Sequence, residues 1–374
     1  MKKTLGVGVV GCGMISDIYL TNMIHKFTNL EVRACCAGHI ESAERKAAKY
    51  GIRATTFEEM LKTDDIDMVV VLTPAPTHYD LIRAALSAGK HVYSEKVISP
   101  EYAQAKELLE LASEKGLYLG CAPDTFLGAS LQAVRQAMDD GLIGTPTGFV
   151  VSANRDLDYF VSHYRFLSQA GGGICYDYGV YYLTALVALL GPMARVSAVA
   201  GNRKEVRVNP VPGEADYGKG YPYPNESYVN AVLETKSGVS GCFSVNGDSV
   251  LNDRSYFLIY GTKGMLRLGD PNHFGGEVYY LPNNTCEGNT QMQRLACDLP
   301  FAGNSRGVGP AEMADAILYG RKNRAAGEMA AHVLDVIEQI MASSEAGRML
   351  PVNSCCTRPE PLHREDSAAW TAQE

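Results

Sequence analysis

The sequence predicts an α/β protein of two domains: a doubly wound domain on a parallel sheet, then an α+β domain with a large, mostly antiparallel open sheet. Three observations predict it. Over the first 121 residues, short apolar runs alternate with helical patterns, and that alternation builds a parallel sheet covered on both faces. After about residue 124 the chain turns β-rich, with turn signals such as Lys236-Ser237-Gly238 and Thr262-Lys263-Gly264. The length of 374 residues suits about two domains of roughly 100–200 residues each.

In order, residues 5–10, 30–37, 68–72, 91–93 and 117–121 read as strands, short and apolar. Between them, 15–27, 41–50, 77–88 and 100–115 carry helical periodicity, the last two stopping at Gly89 and Gly116. Helices are expected at 129–140 and 176–190. Strands follow at 148–153, 195–200, 228–235, 239–245, 256–260 and 265–268. Two late helices, 310–318 and 328–343, are expected to pack back on the core. The expected domains are 1–123 and 124–355, with a polar tail over 356–374 and no internal repeat.

Composition excludes several classes. Apolar residues make up 46%, enough for full cores, and 34 cations against 42 acids give a net charge of −8. An acidic chain without clustered Lys and Arg argues against nucleic acid, and no apolar run of about 18 residues argues against a membrane span. Ten cysteines (Cys12, Cys35, Cys36, Cys121, Cys175, Cys242, Cys286, Cys297, Cys355 and Cys356) include no C-x-x-C pair, and no metal site is expected. They read as reduced thiols of a cytoplasmic protein.

The most informative stretch is Gly6-Val7-Gly8-Val9-Val10-Gly11-Cys12-Gly13-Met14-Ile15-Ser16. A strand enters Gly11-x-Gly13 and a helix leaves it. Gly11 allows the tight turn, Gly13 allows close approach of a pyrophosphate, and Met14 and Ile15 open a helix whose N–H groups face the phosphates. This reads as a Rossmann dinucleotide site, with Ser16 small enough to stand for the third glycine, against the blander reading of a tight turn with no ligand. The tip of the second strand, Ala37-Gly38-His39, carries no acid for a ribose 2′-hydroxyl. NAD or NADP is therefore the expected cofactor, with NADP slightly favoured. His39 and Arg45 could meet a 2′-phosphate or be ordinary surface residues.

Ligands of open α/β sheets sit outside the carboxyl ends of the strands. Two polar clusters fall there: Thr73-Pro74-Ala75-Pro76-Thr77-His78 and Ser94-Glu95-Lys96. Thr73, Pro74, His78 and Glu95 read as cofactor contacts. Lys96 reads as a cofactor-side and catalytic lysine, against the blander reading of a solvated Glu95–Lys96 pair.

These motifs, with Ala88-Gly89-Lys90-His91-Val92 and the later Gly171-Gly172-Gly173-Ile174-Cys175-Tyr176-Asp177-Tyr178-Gly179-Val180-Tyr181, resemble the Gfo/Idh/MocA family, the glucose–fructose oxidoreductase and inositol dehydrogenase family. The resemblance runs to about residue 350. It implies an NAD(P)-dependent oxidoreductase moving a hydride between nicotinamide and a hydroxyl or carbonyl of a sugar, cyclitol or related polyol. It also implies a homodimer or homotetramer built through the C-terminal sheet. Three departures stand out. The family's Glu-Lys-Pro is Glu95-Lys96-Val97, which puts a proline-shaped backbone there in doubt, because a non-proline bond resists the cis form by about 2.5–4 kcal/mol. Asp124 stands in a segment where the family often has Arg, and is expected at the substrate. The common catalytic His is Tyr181.

The resemblance makes Tyr181 the acid/base, beside Lys96 and Asp177; read from the residues alone, Tyr181 and Tyr182 fit an aromatic core face equally well. Asp177, four residues earlier, is expected one helical turn away on the same face, bonding a substrate hydroxyl or holding Lys96. Asn154, Arg155, Tyr164, Arg165 and Tyr176 are expected substrate contacts, although Arg165 could instead pair with a surface acid. Residues 304–307 open a late helix that could face the pocket. Two other readings compete: a glycosidase with transient redox of its NAD, and a cofactor-binding regulator without catalysis.

Overall fold

The structure, a computed structural model, describes residues 4–250, 255–283, 291–297 and 299–372. Cys286 lies outside them. The chain forms two compact units: residues 1–128, 299–331 and 359–374, and residues 129–298 with 332–358.

In the first unit six strands pair in parallel: β1 (Leu5–Val10), β2 (Leu30–Cys36), β3 (Arg53–Ala54), β4 (Met68–Val71), β5 (His91–Ser94) and β6 (Leu119–Cys121). Their order is β3-β2-β1-β4-β5-β6. The order reverses at β1, so β1 and β4 diverge into helices on opposite faces and open a crevice at their carboxyl ends. Every residue of β1 and β4 is buried, the apolar continuity of strands covered on both sides. The connecting helices are α1 (Ile15–His25), α2 (Ile40–Tyr50), α3 (Phe57–Lys62), α4 (His78–Ser87) and α5 (Tyr102–Glu114). The short α3 escapes the apolar pattern but carries a capping box, Thr56 Oγ1 accepting from Glu59 N and the Glu59 side chain returning to Thr56 N.

In the second unit come α6 (Ala129–Asp139), β7 (Pro146–Asn154), α7 (Leu157–His163), α8 (Val180–Leu190), β8 (Met193–Gly201) and the hairpin β9 (Val206–Val208)–β10 (Gly220–Pro222). They are followed by β11 (Tyr228–Thr235), β12 (Ser240–Asn246), β13 (Tyr256–Gly261), β14 (Gly264–Leu268), β15 (Tyr279–Pro282) and β16 (Gln293–Arg294). With β17 (Leu350–Pro351), nine strands form one sheet in the order β16-β15-β14-β13-β7-β12-β11-β8-β17. All pairs are antiparallel except β7–β12. Burial alternates along β7 and β11, so one sheet face is covered and the other open. The helix α8 is buried along all its length, and it is apolar all round for that reason.

Two boundaries differ from the sequence expectation. The late helix α9 (Val308–Tyr319) belongs to the first unit, as do residues 359–374. The supposed polar tail is therefore structured: Trp370 is 1% exposed, stacks on Phe301 at 5.6 Å and lies 5.7 Å from Phe27. One large aromatic docked in an apolar niche outweighs a polar average. The helix α10 (Gly327–Ala346) spans residues of both units, and α11 (Arg364–Ala368) precedes Trp370.

Candidate functional site

The first unit's site begins where β1 meets α1. Gly11 has φ +103°, and a Cβ there would lie 2.8 Å from the Leu72 carbonyl carbon, so only glycine fits. Gly13 faces open space, as does Gly38 at the end of β2. Met14 is 73% exposed, Ile15 half-buried. Ser16 is buried, and its hydroxyl donates to the Gly13 carbonyl at 2.6 Å, fixing the turn on the helix. At the start of α1 the Ser16 and Asp17 N–H groups reach the Gly13 and Met14 carbonyls at 3.2 and 3.3 Å, so the donors at the helix N-terminus are held in a loose turn. Clear space over Gly13 beside those donors fits a pyrophosphate.

Past Ala37 and Gly38, exposed His39 opens α2 without a side-chain capping bond. A cavity of about 290 Å³ lies here, lined by Cys12, Asp17, Ser42, Arg45, Lys46 and Lys49. Arg45 bonds Ser42 Oγ at 3.0 Å, while Lys46 and Lys49 each reach Asp17 Oδ1 at 2.9 Å. The lysines, Lys49 first, hold the Asp17 carboxyl well below the usual range.

At the next strand ends, His78 is fully buried. Its Nδ1 lies 2.6 Å from the Val97 carbonyl and its Nε2 2.7 Å from the Thr73 carbonyl. Burial lowers its pKa against the pull of those carbonyls. His78 is thus a fastener between two loops, correcting its reading as a cofactor contact, while Thr73 and Pro74 remain at the surface of the edge. The Lys96–Val97 peptide is cis, as is Ala122–Pro123, so the doubt raised by the missing proline is resolved against the sequence expectation. His78 and Glu95 hold that segment, Glu95 Oε2 accepting the Lys96 N–H at 3.1 Å. Glu95 Oε1 accepts from the fully buried Tyr19 hydroxyl.

Asp124 also departs from expectation. It is 1% exposed, and its carboxylate accepts the Gly309 N–H at 2.9 Å, capping the start of α9. Burial raises its pKa to about 6. It anchors a helix rather than presenting itself to a substrate. Asn22 holds the neighbouring 304–307 segment, its amide donating to the carbonyls of Asn304 and Arg306.

In the second unit, Cys175–Gly179 form a π-helical turn leading into α8. This changes the expected geometry: Asp177 and Tyr181 are not spaced by a regular α-helical turn. Asp177 pairs with Arg155, Nη1 to Oδ2 at 3.1 Å, the two side chains 12% and 14% exposed respectively. The Arg155 guanidinium lies 3.9 Å from the Tyr178 ring centroid and 4.3 Å from that of Phe160. Asn154 precedes it at the end of β7, opposite Asn246. Tyr181 is 8% exposed on the first turn of α8, while Tyr178 and Tyr182 form the aromatic core, their hydroxyls 3.1 Å apart. Tyr178 donates to Asp270 at 2.8 Å, and burial pushes its pKa to about 12.

Tyr176 is half-buried, with its phenol pKa raised by burial. Tyr164 closes α7, stacked on Phe160 at 6.0 Å. Arg165 bonds Asp216 and the Val161 carbonyl and lies over Tyr221, so the surface-acid alternative holds for it. The glycine run has a specific cause: Glu226 Oε1 accepts the Cys175 N–H at 2.9 Å, and a Cβ on Gly173 would lie 2.0 Å from Glu226 Oε2.

Residues 5–122 match the model described as "Oxidoreductase family, NAD-binding Rossmann fold", and 131–267 match the "GFO/IDH/MocA C-terminal domain". The chain belongs to the Gfo/Idh/MocA oxidoreductase family. This oxidoreductase is 28% identical over 360 residues to dTDP-3,4-didehydro-2,6-dideoxy-alpha-D-glucose 3-reductase of Streptomyces violaceoruber, covering 94% of this chain and 97% of that one. It is 27% identical over 268 residues to trans-1,2-dihydrobenzene-1,2-diol dehydrogenase of Bos taurus, 71% of this chain and 74% of that one. Its fold matches levoglucosan dehydrogenase in complex with NADH at a TM-score of 0.81 and 16% identity, over 94% and 100% of the two chains. The cofactor class of this oxidoreductase is thus a nicotinamide dinucleotide.

Sequence reasoning missed Tyr19, Asn22, Lys46 and Glu226. None sits in a local motif; each reaches its partner across tens or hundreds of residues. The one available signal was three glycines in a row at 171–173, which announces something pressed against the backbone without naming it.

Proposed function

We propose that the protein is an NAD(P)-dependent dehydrogenase or reductase acting on a hydroxyl or carbonyl of a sugar, cyclitol or related polyol. The observation that carries this reading is the Arg155–Asp177 pair, slightly exposed beside the turn that leads to Tyr181. A charged fork donor and a carboxylate acceptor supply the donor and acceptor types that a neutral ligand rich in hydroxyls calls for. The relatives named above act on a deoxysugar nucleotide and a diol, which supports the same class.

Gly11, Gly13, Met14 and Ile15 would hold the pyrophosphate; Ala37, Gly38 and His39 the adenosine ribose; Thr73, Pro74 and Glu95 the edge towards the nicotinamide. When bound, that ring supplies or accepts the hydride. Tyr181 takes the proton from the substrate hydroxyl during oxidation and returns it during reduction. The Lys96 ammonium stabilises the charge developing on that oxygen. Asp177 orients the substrate through Arg155 or by accepting a hydroxyl proton, and Asn154, Tyr164 and Tyr176 supply further contacts. Ser42 and Arg45 beside the uncapped start of α2 favour NADP, because they offer a donor and a cation to a 2′-phosphate.

The open face of the large sheet carries exposed Val199, Val232 and Tyr256, a surface suited to a homodimer or homotetramer. Cys12, Cys35, Cys36, Cys121, Cys175, Cys242 and Cys355 are free thiols, which fits a reducing, cytoplasmic setting. The test is a polyol panel followed at the reduced-nicotinamide absorbance, with calorimetry for both cofactors. Lys96→Ala and Tyr181→Phe should each cut kcat by about 10²–10⁴ while retaining cofactor binding. Wild-type protein inert on the whole panel, or fully active variants, would overturn the reading.

A further inference from the structure

Beside the Arg155–Asp177 pair the second unit carries a chain of aromatic rings. The Arg155 guanidinium lies 4.3 Å from the Phe160 ring centroid. Phe160 stacks on Tyr164 at 6.0 Å, and Tyr164 meets the Phe166 ring edge-on at 6.2 Å. Tyr159 meets Phe160 edge-on at 5.3 Å and stacks on His163 at 4.3 Å. Tyr159 is 37% exposed and Phe166 41%. One exposed aromatic is ordinary. Rings touching one another from Arg155 along α7 and the 3-10 turn Arg165–Ser168 make a continuous shelf.

The shelf is fastened to the β9–β10 hairpin. In the hairpin loop, Glu214 lies 3.0 Å from His163 Nε2, and Asp216 accepts from Arg165 at 3.3 Å. Arg165 also donates to the Val161 carbonyl, and Ser168 Oγ donates to the Pro222 carbonyl at 2.6 Å. Asp156 caps the start of α7 by accepting the N–H groups of Asp158 and Tyr159. Rings fixed in this way before a ligand arrives lose little freedom when it binds.

We propose that this shelf is a second sugar subsite. The substrate is a glycoside: its reacting ring sits at Arg155 and Asp177, and the neighbouring, non-reacting sugar ring lies on Tyr164 and Phe166 with Tyr159 beside them. The proposal rests on the polyol reading above and narrows it from a free sugar to a glycoside. Carbon-bound hydrogens give a pyranose an apolar face, and taking that face and an aromatic one out of water together is favourable. Tyr159 and Tyr164 each bring a phenol hydroxyl, a donor and an acceptor for a sugar hydroxyl. A nucleoside diphosphate would also stack on such rings, but its phosphates call for positive charge. The cations Arg155, Arg165 and Lys204 on and beside this segment are matched by Asp177, Asp216 and Asp158. That balance selects a neutral occupant.

The test is calorimetry on full-length protein with oxidised NAD or NADP present. Methyl β-glucoside is compared with cellobiose, methyl α-glucoside with maltose, and methyl β-galactoside with lactose; in each pair a sugar ring replaces the methyl group. In at least one pair the disaccharide should bind about tenfold more tightly. Phe166→Ala and Tyr159→Ala should each remove most of that advantage and leave the Kd of the methyl glycoside unchanged. Both side chains are exposed, and denaturant midpoints check that the variants fold. Equal constants within every pair, disaccharides that do not bind, or an advantage that survives both substitutions would overturn the proposal. So would uridine diphosphate binding that Phe166→Ala abolishes, or a change of subunit number in sedimentation of that variant, which would make the rings an interface between copies. Turnover of the methyl glycosides, followed at the reduced-nicotinamide absorbance, tests the polyol reading separately: turnover with equal constants removes the second subsite alone, and neither binding nor turnover of any sugar removes both.

Discussion

Tyr19 donates its hydroxyl proton to Glu95 Oε1 at 2.7 Å from a side chain with no exposed surface. Burial first, and then the Glu95 charge, push its pKa well up, so it remains a donor across the working range of pH. Glu95 uses its other oxygen to accept the Lys96 N–H. Helix α1, which starts at the phosphate turn, is thereby tied to the residue expected to face the substrate oxygen.

Tyr19→Phe removes this bond and leaves the shape. A hydrogen bond to a charged group contributes about 1.5–3 kcal/mol, so unfolding free energy should drop by about that amount. Because Glu95 then loses one of its two anchors, kcat should fall several-fold while cofactor affinity changes little. Denaturant unfolding and steady-state kinetics check both, and an unchanged kcat would separate Tyr19 from the site.

Gly173 answers to Glu226. A methyl group at residue 173 would meet the carboxylate that accepts the Cys175 N–H, so the side chain must leave the start of the turn carrying Asp177. Gly173→Ala should cost about 1–3 kcal/mol from the orphaned donor and lower kcat. Combining it with Glu226→Ala should cost less than the sum of the two single changes, since both break the same contact. Strict additivity in thermal unfolding would count against the coupling.

Glu226 also gives a pH dependence with a definite sign. Burial raises its pKa from 4.5 to about 7. A carboxyl shifted upward stabilises the fold when protonated; its contribution is complete below about pH 4.5 and is lost as pH climbs through about 7. Glu226→Gln does not titrate. The stability of wild type relative to the variant should therefore decline by roughly 1–3 kcal/mol between those pH values. Subtracting the two profiles removes other titrating groups such as Asp124 and His332. A flat difference would mean that the carboxyl is ionised at no cost.

What the sequence revealed follows from the range of each interaction. The β1–turn–α1 unit was legible because Gly11, Gly13 and Ser16 act within a few residues of one another, and apolar periodicity located most of the larger strands and helices. Asp124 and His78 were placed in the correct loops but given the wrong partners: Gly309 lies 185 residues from Asp124, and both partners of His78 are backbone carbonyls that carry no residue signature. The π-turn was invisible because its hydrogen-bond shift leaves the apolar pattern of α8 intact. The tail was misread because composition averages over Trp370.

Cofactor choice yields the last prediction. Among the cations near the end of β2, Lys46 and Lys49 both face the Asp17 carboxylate, whereas Arg45 bonds the neutral Ser42 hydroxyl. Arg45 is therefore the cation whose charge is least matched and the one best suited to a 2′-phosphate. A charge-assisted contact to phosphate is worth more than a neutral hydrogen bond, but it is diminished at an exposed site. Arg45→Ser should weaken NADP binding by roughly tenfold and leave NAD binding nearly unchanged. The NADP affinity of wild type should also fall with ionic strength more steeply than that of the variant. Titration of both cofactors at two salt concentrations checks this; equal losses for NAD and NADP would place the 2′-phosphate elsewhere.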